Sequence, residues 1–322
     1  MQNRKTACDH LLHHCGSLCA GETIVVVHDA ASAPVADLLA ERARETTDDV
    51  RRFEIPAFEH HGQEPPVEVA DAMAKAQLVA GLTRLSMAHT QARQRASQAG
   101  ARYLSLADYS LELLDHPAVR TDFRARGPVV RAVADRFTHG GGARITTELG
   151  TDLHLEMGGR TGNCCPGYVE APGELGSPPD IEANISPLES ASEGIVVVDG
   201  SIPCPDIGLL DSPVTLFVEG GRIVRFEGEA AIVETLESAF GAIGSPNAYV
   251  LAECGVGLNP NAELTGSMLT DEGTNGTMHF GFGSNSTVGG QNEVSFHLDF
   301  VFRAATLEID GARVLDGGKV LA

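Results

Sequence analysis

Hydrophobic positions in the first half of the chain fall into short apolar runs separated by segments of helical period. Residues 22–28 (Glu-Thr-Ile-Val-Val-Val-His) form one such run and predict a buried strand. Pro34 to Arg44 predicts a helix, with the proline tolerable in its first turn. Arg51–Ile55 predicts a second strand, Val67–Ala80 a helix and Leu82–Met87 a further strand. The polar, Ala-rich stretch 89–99 predicts another helix, followed by a strand at Tyr103–Leu106 and helices near 109–115 and 127–138. Strand–helix alternation of this kind implies an α/β layer with largely parallel strands.

The pattern then changes period. Residues 143–157 alternate apolar and polar positions about a glycine-centred turn, which predicts a hairpin. Residues 159–181 are rich in Gly and Pro and read as an irregular stretch or linker. From Gly194 onward the chain reads as strands, with hairpins at Val214–Val218/Arg222–Phe226 and Thr306–Ile309/Ala312–Leu315 and one helix near 229–240. The expected architecture is an α/β N-terminal domain over 1–180 and an α+β, strand-rich domain over 181–322.

Composition narrows the function. The 322 residues are 43% hydrophobic and 21% charged, the profile of a globular chain. A formal charge of −21 repels phosphate backbones and anionic lipid, so nucleic acid and membrane surfaces are not expected partners. No apolar stretch approaches a spanning length, and the N-terminus lacks a signal-peptide pattern. Seven cysteines without framework spacing read as reduced thiols of a cytoplasmic protein.

Candidate chemistry concentrates near the C-terminus. His297 and Asp299 are two apart, and on a strand such residues share a face. His279 opens His-Phe-Gly-Phe-Gly, another period-two segment whose glycines allow close approach. Glu253 follows the apolar run Ala-Tyr-Val-Leu-Ala and precedes Cys-Gly-Val-Gly. Two imidazoles and two carboxylates on strand-like backbone suit zinc, iron(II), cobalt or manganese better than calcium. The residues alone leave two geometries open: a facial triad holding one iron(II), or a pair of ions bridged by a carboxylate. Other clusters rank lower. Cys8, His10, His13, His14, Cys15 and Cys19 lack a recognised zinc spacing and read as part of a first helix. Cys164-Cys165 read as free thiols, His60-His61 as a loop pair, and Gly140–Gly142 as a connector without the Lys of a phosphate loop. No Gly-x-Ser-x-Gly elbow is present, which disfavours a serine hydrolase.

Three blocks carry a family resemblance. They are Ala252-Glu-Cys-Gly-Val-Gly-Leu-Asn-Pro260, Asp271–Gly283 and Gly289-Gly-Gln-Asn-Glu-Val-Ser-Phe-His-Leu-Asp299. Together they resemble the metal-binding blocks of the aminopeptidase T family, which includes thermophilic leucyl aminopeptidases and, as a divergent branch, the 2,5-dihydroxypyridine dioxygenases. Asn184-Ile-Ser-Pro-Leu-Glu-Ser resembles the family's earlier Asn-x-Pro-x-x-Glu block, with Pro one place late. The resemblance implies metal ligands at Glu189, Glu253, His279, His297 and Asp299, with Glu253 as bridge and catalytic residue. It implies two divalent ions (Zn, Co or Mn), a homodimer and a small-molecule or short peptide substrate. The dioxygenase branch carries His where this chain has Glu253, so the resemblance favours a metallo-aminopeptidase-like hydrolase working through metal-activated water. Glu293 and Asp271 are weaker proton-shuttle candidates. The peptidases place Tyr seven residues after the equivalent of His279, whereas this chain has Ser286. The alternatives are therefore an iron(II) ring-cleaving dioxygenase and a non-catalytic metal-binding homologue.

Overall fold

The computed structural model describes residues 2–204 and 206–321 and divides into two compact units. The first comprises Met1–Arg124 and Gly167–Pro179, the second Ala125–Pro166 and Asp180–Ala322. Residues 125–166, grouped with the N-terminal domain on periodicity, thus fall in the second unit.

In the first unit α1 (Gln2–Asp9) and a π-helical turn at His10–Cys15 precede β1 (Ile24–His28). The chain continues through α2 (Ala33–Ala43), β2 (Val50–Glu54), α3 (Val67–Met73), β3 (Leu78–Leu82), α4 (Gln91–Gln98), β4 (Arg102–Ser105) and α5 (Leu111–Asp115). The helix expected over 67–80 stops at Met73, and the strand expected over 82–87 lies at 78–82 instead. Every residue of β3 is buried. A short apolar run in the middle of a parallel sheet has no period of its own, so it read as a continuation of the preceding helix.

The long helix α6 (Phe123–His139) leads to β5 (Gly142–Thr146), β6 (Asp152–Glu156) and β7 (Asn163–Cys165). The segment 167–179 supplies β8 (Leu175–Gly176), which completes a parallel sheet of order β2-β1-β3-β4-β8. Parallel strands joined by helices follow from the alternation read in the sequence.

The second unit continues with β9 (Glu182–Ile185), β10 (Glu193–Val198), β11 (Ser201–Ile202), β12 (Gly208–Leu209), β13 (Val214–Glu219) and β14 (Arg222–Glu227). After α7 (Ala230–Ala242) come β15 (Leu251–Gly257), the short α8 (Met268–Asp271), β16 (Met278–Gly283) and β17 (His297–Phe302). The chain closes with β18 (Thr306–Ile309), β19 (Ala312–Asp316) and β20 (Lys319–Val320). These strands form two antiparallel sheets, of order β14-β13-β10-β6-β5-β18-β19-β20 and β12-β11-β17-β16-β15-β9-β7. The predicted hairpins are β5–β6, β13–β14 and β18–β19. Mixed α/β in the first unit and a strand-rich second unit are the fold class expected from periodicity.

The seven-stranded sheet has two unlike faces. Phe280, Phe282, Phe300 and Phe302 alternate onto one, all fully buried. Phe280 stacks on Phe302 at 5.2 Å and Phe282 meets Phe300 edge-on at 5.6 Å, while Phe240 of α7 reaches Phe300 at 6.4 Å. Strand alternation then turns the intervening residues to the opposite face, and those residues are His279, Gly281, His297 and Asp299. Among the described residues no helix is long and apolar enough to cross a membrane.

Candidate metal centre

Register brings the polar residues together. Glu253 of β15 pairs with Gly281 of β16, which pairs with Asp299 of β17. His279 lies between Gly255 and Val301, and Gly283 pairs with His297. On the far side of β15, Gly257 pairs with Glu182 and Gly255 with Asn184. Each candidate ligand thus has a glycine beside it on the next strand. The glycines are sterically required: a Cβ on Gly255 would lie 2.1 Å from the His279 ring, and one on Gly281 2.4 Å from His297 Nε2 and 2.8 Å from Asp299. Both imidazoles therefore sit close against bare backbone.

Two groups of ligand atoms result, Glu253–His297–Asp299 and Glu182–Glu253–His279, sharing Glu253. His297 Nε2 is 3.3 Å from Asp299 Oδ1 and 3.5 Å from Glu253 Oε2. His279 Nε2 is 3.1 Å from Glu182 Oε2 and 3.9 Å from Glu253 Oε1. Second partners orient these groups: His297 Nδ1 meets the Ser284 carbonyl at 2.9 Å, and Asn184 Nδ2 donates to Glu182 Oε1 at 2.6 Å.

The cluster is crowded with charge. Asp180, Glu182, Glu253, Asp299 and His279 are all buried, and Glu272 adds a buried oxygen. Burial, then repulsion from Glu182, holds Asp180 well above the usual carboxylate range, and burial raises Glu253. Burial opposes the charged form of His279, but Glu182 and Glu253 outweigh it and hold the ring well above its ordinary value. Burial likewise opposes His297, and Asp299 and Glu253 push it toward about 10. The side chain of His297 is 32% exposed, so water weakens that pull. Burial would raise Asp299, yet the neighbouring His297 brings it down to about 2.

A divalent cation fits this arrangement. Asp180 Oδ1, Glu272 Oε1 and His279 Nδ1 are buried without a hydrogen-bond partner, an arrangement that is costly for polar atoms. Carboxylate oxygens and imidazole nitrogens are donors for first-row divalent metals, and a positive charge would relieve the repulsion among the acids.

Four of the five residues expected as ligands meet here: Glu253, His279, His297 and Asp299. Glu189 does not. Its carboxylate accepts from Arg160 Nη2 at 2.6 Å, the Gln291 amide at 2.7 Å and Asn285 Nδ2 at 3.0 Å. Glu182 joins the cluster in its stead. A legible signal existed in Asp180-Ile-Glu-Ala-Asn-Ile, a period-two alternation like that of His297-Leu-Asp299, but it lay at the assumed domain boundary. Asp271 is buried and caps the Thr265 and Gly266 amides, and Glu293 is exposed. The N-terminal Cys/His residues form no metal-ligand group among the described residues, and all seven cysteines are free.

Comparison with known proteins decides the family. The family profile NicX: 2,5-dihydroxypyridine 5,6-dioxygenase matches residues 5–322. The chain belongs to the 2,5-dihydroxypyridine 5,6-dioxygenase family. A 2,5-dihydroxypyridine 5,6-dioxygenase of Pseudomonas putida KT2440 is 24% identical, with 94% of this chain and 91% of that protein aligned. The solved structure of a 2,5-dihydroxypyridine dioxygenase from the same organism superposes with a TM-score of 0.86 at 23% identity, covering 99% of this chain and 97% of that one. AmpT of Thermus thermophilus shares the fold more distantly, with a TM-score of 0.69 at 16% identity over 100% and 99% of the two chains.

These findings overturn the expectation of a metallo-aminopeptidase-like hydrolase and of zinc-dependent peptidase chemistry. That expectation rested on Glu253, taken as the mark of a two-ion hydrolase. A carboxylate ligates iron(II) as readily as it bridges two ions, so it does not discriminate. Ser286, at the peptidase Tyr position, offers a hydroxyl 3.5 Å from Ser284 Oγ and no phenol.

Proposed function

We propose that this chain is a non-haem iron(II) dioxygenase that opens the ring of a small dihydroxylated pyridine. The observation that carries the reading is the Glu253–His297–Asp299 group on the glycine-lined sheet face of a chain that belongs to a dioxygenase family. Glu253, His297 and Asp299 would hold the ion, with His279 adjacent. Bound iron(II) would supply dioxygen activation and a Lewis-acidic contact for a substrate hydroxyl. Ser284 keeps the Nδ1 proton of His297 in place, leaving Nε2 as the ligand atom.

The test is anaerobic loading with iron(II), followed by oxygen uptake and loss of ring absorbance with 2,5-dihydroxypyridine. Absence of oxygen uptake by the iron-loaded protein would sink the reading. A second stoichiometry is favoured by one specific observation, the Glu182–Glu253–His279 group sharing Glu253 with the first. Elemental analysis decides it: one ion per chain fits the mononuclear form, two the shared-carboxylate form. The resemblance also supports a homodimer, which light scattering would check.

A further inference from the structure

Glu189 and Arg160 lie outside both ligand groups, yet they form a connected device with the loop between β16 and β17. Arg160 donates through Nη2 to Glu189 and through Nη1 to the Gly289 carbonyl at 2.5 Å. Glu189 in turn accepts from the Gln291 amide and Asn285 Nδ2. Asn285 is fully buried, donates to Ser186 Oγ at 2.8 Å and accepts from the Asn292 amide at 2.7 Å. The loop is thus pinned at 285, 289 and 291 by one ion pair.

The neck and the middle of this loop both connect to the metal-centre residues. At its neck the Ser284 amide bonds to the Phe296 carbonyl at 2.8 Å, and the Ser284 carbonyl receives His297 Nδ1. At its middle the Val288 carbonyl accepts from Asn163 Nδ2 at 3.0 Å. Asn163 also donates to Asn184 at 2.8 Å, and Asn184 donates to Glu182, the neighbour of His279. Two hydrogen-bond lines therefore run from the clamped loop to the two imidazoles.

We propose that the Glu189–Arg160 pair is a positioning clamp that fixes loop 284–292 and, through the Ser284 carbonyl, sets the orientation of His297. This assignment rests on the proposed metal centre for its purpose, but not for its test. Outer partners of a ligating histidine fix its tautomer and direction, and their loss weakens metal affinity by about 10–100-fold. The ion pair is largely shielded, with side-chain exposures of 12% for Arg160 and 25% for Glu189, which favours a fixed geometry.

The experiment compares the full chain with Glu189→Ala and Arg160→Lys. Lysine keeps the charge but cannot serve Glu189 and Gly289 together. Three readouts are taken: amide hydrogen exchange across 284–292 without metal, the His297 Nδ1 proton by NMR without metal, and anaerobic iron(II) titration. Both variants are expected to speed exchange at Gln291 and its neighbours and to weaken the His297 ring-proton signal. Iron(II) affinity is expected to fall about 10-fold with stoichiometry unchanged. Unchanged loop exchange together with a lost ion would overturn the clamp and make Glu189 a ligand. Fast loop exchange with an unaltered His297 signal would overturn the link to the imidazole. Failure of the unmodified chain to bind iron would instead count against the metal centre, while the two metal-free readouts still decide the clamp. Should Glu189→Ala not fold, Arg160→Lys carries the same comparison.

Discussion

At the scale of single residues, the glycines constrain the site as tightly as the ligands do. Gly255 and Gly281 lie under the two imidazoles with no room for a methyl group. Gly255→Ala should displace His279, lowering metal affinity at least 10-fold in calorimetric titration while leaving the far-UV spectrum intact. Proton linkage gives a second expectation. His279 and His297 are raised by their acid partners, so without metal the pair holds its protons to a higher pH than free imidazoles would. A metal must displace those protons, so its affinity should rise with pH and binding should release protons. Titration in buffers of different ionisation enthalpy checks this, and a proton count of zero would refute it.

At the scale of elements, strand alternation separates chemistry from adhesion. The Phe280, Phe282, Phe300 and Phe302 face anchors the sheet while the opposite face carries the candidate ligands. Phe300→Ala should destabilise the fold by about 3–5 kcal/mol, read by chemical denaturation, because a fully buried ring leaves a cavity. The first helical region makes a different prediction. His10 and His14 stack at 4.3 Å, and burial lowers both below the ordinary value of 6.5. A folded state that disfavours protonation keeps its full stability above the unfolded value and loses it as pH falls below about 6.5. The melting temperature of the unmodified chain should therefore fall relative to that of His10→Gln between pH 7.5 and 5.5, since the raised groups of the metal centre contribute alike to both. Elements were largely legible: the apolar run at 22–28 and the segment 51–55 mark the strands at 24–28 and 50–54, and the three hairpins fall where alternation placed them. β3 at 78–82 is buried throughout like β1, but it follows α3 so closely that its apolar run merges with the helix pattern, and the short β7 and β8 lie in the Gly/Pro-rich stretch read as irregular.

At the scale of the whole molecule, a concentration of buried carboxylates in the second unit is sustained against net charge −21. A cation that binds only the folded chain stabilises it by about 2.7 kcal/mol at a hundredfold excess over its dissociation constant. Melting temperature should therefore climb with added iron(II) or manganese(II) under anaerobic conditions, and chelator should reverse the gain.

Residue types, spacing and period by themselves pointed to much of this protein: an α/β first part, a strand-rich second part, and Glu253, His279, His297 and Asp299 as a candidate metal-type cluster. Those follow from local rules, since alternation fixes which side chains share a strand face. Pairing between distant strands is not local, and that is what the tertiary structure decided. Register across β9, β15, β16 and β17 brought Glu182 to His279 and left Glu189 to Arg160, although the two glutamates are seven residues apart. The reaction lay beyond both spacing and donor type, because the same carboxylates and imidazoles serve a hydrolase and a dioxygenase equally well.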